Sequence, residues 1–258
     1  MHFVKAHSDA PAGFFACEAA GLHWLSRAEG GVPCARVLAV DERSLTLERL
    51  ISAGPDASAA HAFGARLAHT HAAGADGFGA APPDWTGTTG FFGPLQHPLP
   101  MSYCRETSWG RFYAEHRLSP MAEVAGPRLD TETARTVAQV VARCRAGDFD
   151  DDDVACRLHG DLWAGNVMWT PDGVVLIDPA AHGGHRETDL AMLALFGCPH
   201  LEAVLTGYQS VFRLRAGWRD RTGLHQLYPL LAHVALFGAS YVGATRSAAR
   251  SALATLSS

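Results

Sequence analysis

At 258 residues, with 48% apolar and 18% charged, the chain can bury a full core, as one large domain or as two lobes. Its formal charge of −5 comes without a basic stripe, which argues against nucleic acid or an anionic membrane as partner. The six Cys (Cys17, Cys34, Cys104, Cys144, Cys156, Cys198) are scattered, with no C-x-x-C pair, and read as reduced thiols. The opening MHFVKAHSDA has no apolar core of signal-peptide length, and no run approaches the ~18 apolar residues of a membrane span, so a cytoplasmic location is expected.

In chain order, HFVKA reads as a strand and SDAPAGFFACEAAGLHWLSRAEGG as a helix with polar and Pro start signals and a Gly stop. RVLAVDERSLTLERL predicts a hairpin turning at residues 41–44. Beyond residues 50–54 the pattern becomes mostly helical, which divides the chain into lobes 1–52 and 53–258. Residues 74–104, rich in Gly, Pro, Thr and aromatics, predict a long ordered loop, and loops of that length usually serve a site. LDTETARTVAQVVARCRAG predicts an amphipathic helix with Asp130 as N-cap, a stripe at Ala134, Val137, Val141 and Cys144, and Gly147 as stop. The acids Asp148 and 150–153 read as a solvated loop. NVMWTPDGVVLIDP then predicts two short strands joined at 170–173, and apolar helical segments at about 187–214 and 224–256 close the chain.

The chemistry gathers around RLHGDLWAGNVMW. Asp161 and Asn166 precede the hairpin and Asp178 ends it, so three oxygen-bearing side chains are expected near one point, a donor set that suits Mg²⁺. The spacing H-x-D-x-x-x-x-N matches the catalytic loop of kinases. Asp161 then takes the proton of an attacking hydroxyl, while Asn166 and Asp178 hold Mg²⁺ on nucleotide phosphates. Glu18 shares a helical face with Phe15, Leu22 and Leu25, and a carboxylate on an apolar stripe needs a partner. Lys5 is the candidate, as in the kinase pair that positions the α- and β-phosphates, the alternative being a solvated terminal residue. Asp189 reads as a structural N-cap, and His159 as a residue that holds the catalytic loop. His69, His71, His182 and His185 are expected to make local hydrogen bonds rather than a zinc site. Trp85, Phe91, Phe92 and Trp109 either line an acceptor pocket or pack the long loop.

LHGDLWAGNVMW, LIDPAAHGGHRETDLAMLALFG, LYPLLAHVALFGASY and the pattern W-x-x-F-Y-x-x-x-R-L-x-P (Trp109, Phe112, Tyr113, Arg117, Leu118, Pro120) together resemble the fructosamine (ketosamine) kinase family. The family belongs to the aminoglycoside phosphotransferase-like branch of the protein-kinase-like fold, and the match runs from about Phe3 to Tyr241. The resemblance implies an α+β, two-lobed architecture, with an N-terminally truncated small β-rich lobe and a large, mostly helical one. It implies ATP-dependent phosphorylation of a sugar hydroxyl on a ketosamine, small or protein-bound. Trp163 and His182 would lie at the acceptor sugar, and Glu48, Arg49 and Leu50 would form the hinge that holds adenine. Family members carry a Gly-containing phosphate loop ahead of the lysine strand, so this form is expected to be weakly active or inactive and one extended upstream competent. A kinase for another hydroxyl (aminoglycoside, choline or free sugar) and a nucleotide-binding pseudokinase remain alternatives, and the sequence leaves the oligomeric state open.

Overall fold

The computed structural model describes residues 2–257. Strand β1 (His2–Ala6) is followed by helix α1 (Phe14–Ser26) and the hairpin of β2 (Val37–Val40) and β3 (Ser44–Glu48). The three strands form an antiparallel sheet in the order β1-β3-β2, with Lys5 opposite Leu45. Asp41 fixes the hairpin turn by accepting from Arg43 N and Ser44 Oγ, both at 2.8 Å. Phe15 and Leu22 of α1 pack on Leu45 and Leu47, so one face of the helix closes the sheet.

An extended connector leads from the sheet to α2 (Ala57–Ala72), and Ala53 N ties it to Trp169 O at 2.8 Å. Asp56 caps α2 by accepting from Ser58 N and Ala59 N. Residues 74–104 are not simply a loop. They hold the hairpin of β4 (Thr89–Phe92) and β5 (Leu99–Ser102), which flanking Gly and Pro concealed in the sequence. Pro100 is tolerated there because the sheet has two strands and no outer neighbour for its missing N–H.

The large lobe continues with α3 (Trp109–Tyr113), a π-helical turn at Ala114–Leu118, α4 (Ser119–Ala125) and α5 (Thr131–Arg145). Asp130 caps α5 as expected, accepting from Thr133 N at 2.8 Å. The buried stripe of α5 includes Val137, Val141 and Cys144, but Ala134 faces outward and Thr133, Thr136 and Val140 are inside instead. Next come β6 (Cys156–Leu158), β7 (Val167–Thr170), β8 (Gly173–Leu176) and β9 (His182–Gly184), which pair as β6-β9 and β7-β8. The closing segments each break in two, giving α6 (Glu187–Leu195) and α7 (Leu201–Val211), then α8 (Thr222–Phe237) and α9 (Val242–Ala254). Gly238, at φ 92°, makes the second break. No described helix is long and apolar enough to cross a membrane.

The acidic run is solvated only in part: Asp148, Asp150 and Asp152 are exposed, whereas Asp151 and Asp153 are half-buried. Asp150 accepts from Ser108 Oγ and Gly110 N at the start of α3, Asp153 is forked to Arg186 at 2.9 and 3.0 Å, and Asp151 faces His185 at 3.4 Å. Their partners come from segments that a local reading could not bring to the loop.

Candidate active site

A cleft of about 580 Å³ lies where α1 meets the loops around β7 and β8, and Lys5, Glu18, Asp161, Trp163, Asn166 and Asp178 all line it. Lys5 projects from β1 with Nζ 2.8 Å from both oxygens of Glu18 on α1, and 3.1 Å from Asp178 Oδ1. Burial works against the Lys5 charge, but the two carboxylates outweigh it and hold the ammonium above its ordinary range. Glu18 is 6% exposed, so the lysine supplies the counter-charge its position demands. Asp178 adopts φ 55°, in the left-handed region that non-glycine residues rarely enter. Such strain costs of order 1–3 kcal/mol and clusters at functional sites.

Asn166 knits the three oxygen-bearing residues together. Its Nδ2 donates to Asp161 O at 2.7 Å, and lies 3.3 Å from Asp161 Oδ2 and 3.4 Å from Asp178 O. Burial pushes the Asp161 carboxyl up to about 7; the Asn166 amide pulls against this, while nearby Asp178 and Asp189 reinforce it. The other amide atom of Asn166, Oδ1, and the second oxygen of Asp178 have no hydrogen-bond partner among the described residues. Two free oxygen donors beside a carboxylate fit a hard divalent cation.

A buried chain of hydrogen bonds holds the loop beneath. His159 donates from Nε2 to Ile177 O at 2.8 Å and accepts from Asp161 N at Nδ1, and burial keeps its ring neutral. Gly160, at φ 81°, admits no side chain, since a Cβ would lie 2.2 Å from Ala180 O. Asp189 is structural but caps no helix of its own: it is the third residue of α6, and accepts from His159 N at 2.8 Å and Gly160 N at 2.9 Å. His71 of α2 bonds Asp189 at 3.1 Å and, through its other nitrogen, Tyr208 of α7 at 2.9 Å.

Two sets of expected site residues lie elsewhere. His182 opens β9, 5% exposed, with Nδ1 donating to Ala180 O at 2.9 Å, and it lines a separate small cavity rather than the cleft. Glu48, Arg49 and Leu50 also fall outside the cleft lining. Glu48 is bound through its carboxylate to Arg36 N at 3.0 Å, and Leu50 packs on the small lobe's core.

Trp163 is 41% exposed at the rim, its ring against Gly165 and edge-on to Phe196. Phe91 and Phe92 also line the cleft, whereas Trp109 is core, stacked on Tyr113, and Trp85 covers Gly13. His185 comes within ligand distance of Glu187 and His225, and separately of Asp151 and Asp153, but Arg221 and Arg186 already neutralise those carboxylates. Sequence reasoning missed Phe196, His233, Phe237 and Tyr241, which extend the cleft; the signals were LIDPAAHGGHRETDLAMLALFG for Phe196 and LYPLLAHVALFGASY for the other three, both noted for their resemblance but not read for a site.

A family model described as fructosamine kinase matches residues 1–255. The chain belongs to the fructosamine kinase family. A protein named a probable ketoamine kinase in Enterococcus faecium is 33% identical over 244 residues, 93% of this chain and 83% of that one. A crystal structure assigned as a fructosamine-3-kinase from Thermobifida fusca is 46% identical, with a TM-score of 0.88 over 98% of this chain and 85% of that one. The aminoglycoside phosphotransferase APH(4)-Ia, 18% identical with a TM-score of 0.58 over 97% and 86%, shares the fold alone. As a member of the fructosamine kinase family, the chain is a phosphotransferase with an alcohol group as acceptor.

Proposed function

We propose that this chain transfers the terminal phosphoryl group of ATP to a hydroxyl of a ketosamine, the rearranged adduct of a sugar and an amine. The observation that carries the reading is the meeting of Asp161, Asn166 and Asp178 in one cleft with the Lys5–Glu18 pair. Asp161 accepts the proton of the acceptor hydroxyl as that oxygen bonds to phosphorus and the bond to the leaving ADP breaks. Lys5, held charged between Glu18 and Asp178, offers its ammonium to the nucleotide phosphates. Asn166 Oδ1 and the Asp178 carboxylate would hold Mg²⁺, which when bound neutralises charge on the phosphates. Trp163 offers an aromatic face to the sugar ring.

The acceptor side supports a ketosamine over a polycationic aminoglycoside. The acids that line the cleft are Glu18, Asp161 and Asp178, all in the transfer machinery, while the walls at Phe91, Phe196 and Phe237 are aromatic. The test is ATP consumption against a panel of fructosyl- and ribulosyl-amines, aminoglycosides and choline. Turnover with the ketosamines is expected, and its loss by roughly 10²–10⁴-fold in Asp161→Asn with nucleotide affinity kept. Turnover confined to another acceptor class, or full activity in the variant, overturns the reading.

A further inference from the structure

Arg117, the arginine of W-x-x-F-Y-x-x-x-R-L-x-P, has no role in the transfer chemistry, yet it is 2% exposed and among the largest fully buried side chains. It lies in the π-helical turn, where Ser119 N–H reaches back five residues to Ala114 O. Turns of this kind are rare and recur at functional sites. Nη1 donates to Ser102 O at 2.9 Å and His116 O at 2.8 Å, but Nε and Nη2 have no partner. The one other buried side-chain atom among the described residues left without a partner is Tyr228 Oη. The two side chains share an internal cavity of about 10 Å³, which Gly160 and Met192 also line; Met192 lines the active-site cleft as well, so this cavity lies under the cleft floor.

The guanidinium stacks over Phe112 at 4.6 Å and faces Tyr228 at 5.8 Å, but a ring quadrupole is not a counter-charge. The groups that favour its charge are Tyr228, Cys104, Tyr103 and Tyr113, and His182, which faces it across the cavity, opposes it; there is no carboxylate among them. Burial holds the phenols and the thiol neutral, pushing the Tyr228 phenol up to about 12 and raising the others. A buried, permanently charged cation without a counter-ion is costly, and one partner removes the cost.

We propose that Arg117 Nε and Nη2 and Tyr228 Oη form a binding site for a small monovalent anion of the chloride class. The cavity has room for about one monatomic ion or one water, too little for phosphate, sulfate or carboxylates. A water would satisfy hydrogen bonds but leave the charge uncompensated.

Thermal unfolding of the full chain in sodium chloride against sodium gluconate at equal ionic strength tests the site, together with crystals grown in bromide. The expected result is a saturable rise in Tm with chloride and an anomalous bromide peak beside Arg117 and Tyr228. Arg117→Met abolishes the chloride dependence, and should that variant not fold, Tyr228→Phe raises the half-saturating chloride concentration about tenfold. Equal Tm in both salts, a chloride dependence untouched in Tyr228→Phe, or a water without an anomalous peak overturns the proposal. Neither readout depends on which acceptor the enzyme phosphorylates.

Discussion

Asp161 is the residue whose protonation the proposed chemistry turns on. Burial raises its carboxyl to about 7, so near neutral pH the ionised and neutral forms are both populated. A base must be ionised, and kcat/KM is expected to fall about tenfold per pH unit below about 7 and to level off above it. The same shift has a stability sign. The folded value lies above the unfolded one of about 3.9, so the native state is penalised increasingly between about pH 4 and 7 and fully above that. Asp161→Asn removes the penalty. Its Tm is expected to exceed the parent's by about 2–4 °C for each kcal/mol released at pH 8, and to match it at pH 4; calorimetry at the two pH values checks both. Asp178 shows the complementary feature, a strained backbone at φ 55° that aims a carboxylate at Lys5.

Among the elements, the turn from β9 into α6 anchors the large lobe. Glu187, 2% exposed, is forked to Arg221 of the segment entering α8, with Oε2 2.9 Å from Nε. Burial opposes its charge, but hydrogen bonds from His225 and Arg221 win and pull its carboxyl down to about 2. A depressed acid contributes stability that is present above the unfolded value of about 4.3 and lost as pH falls through the folded one. Glu187→Gln leaves the half-buried Arg221 without its counter-charge, and a loss of about 1.5–3 kcal/mol is expected at pH 7, shrinking towards pH 2. Urea unfolding across that range measures it. Asp189, two residues on, fastens the catalytic loop to α2 and α7 through His71 and Tyr208, so the loop's position is set by three helices.

Over the whole molecule, the small sheet and the helical lobe meet at one ammonium group. Lys5 from β1, Glu18 from α1 and Asp178 after β8 share it. The sheet is tied further to the large lobe by Ala35 N to Leu176 O at 2.9 Å and Leu176 N to Pro33 O at 2.8 Å. A nucleotide that bridges the cleft binds only the folded arrangement. At about 100 times its Kd, Mg²⁺-ATP is expected to add about 2.7 kcal/mol, worth about 2–4 °C of Tm per kcal/mol. A thermal-shift assay should show the gain, and its loss in Lys5→Met or with chelator in place of Mg²⁺. An equal shift in the variant would remove the lysine from nucleotide binding.

The sequence by itself determined what short-range geometry controls. The Asp41 turn, the Asp130 cap and the hairpin at 167–176 follow from turn and cap chemistry within a few residues. For the same reason the spacing of residues 161, 166 and 178 was enough to bring them into one cleft. Lys5 and Glu18 were legible because a carboxylate on an apolar stripe demands a cation nearby. Tertiary structure alone decided the rest: that Asp189 serves the catalytic loop, that Asp151 and Asp153 turn inward, that His182 lies behind the site, that Glu48 to Leu50 stay off the cleft wall, and that Arg117 is buried without a counter-ion. Each of these depends on which face of one element meets another tens of residues away. Burial and partner are properties of the packed whole, and no local pattern encodes them.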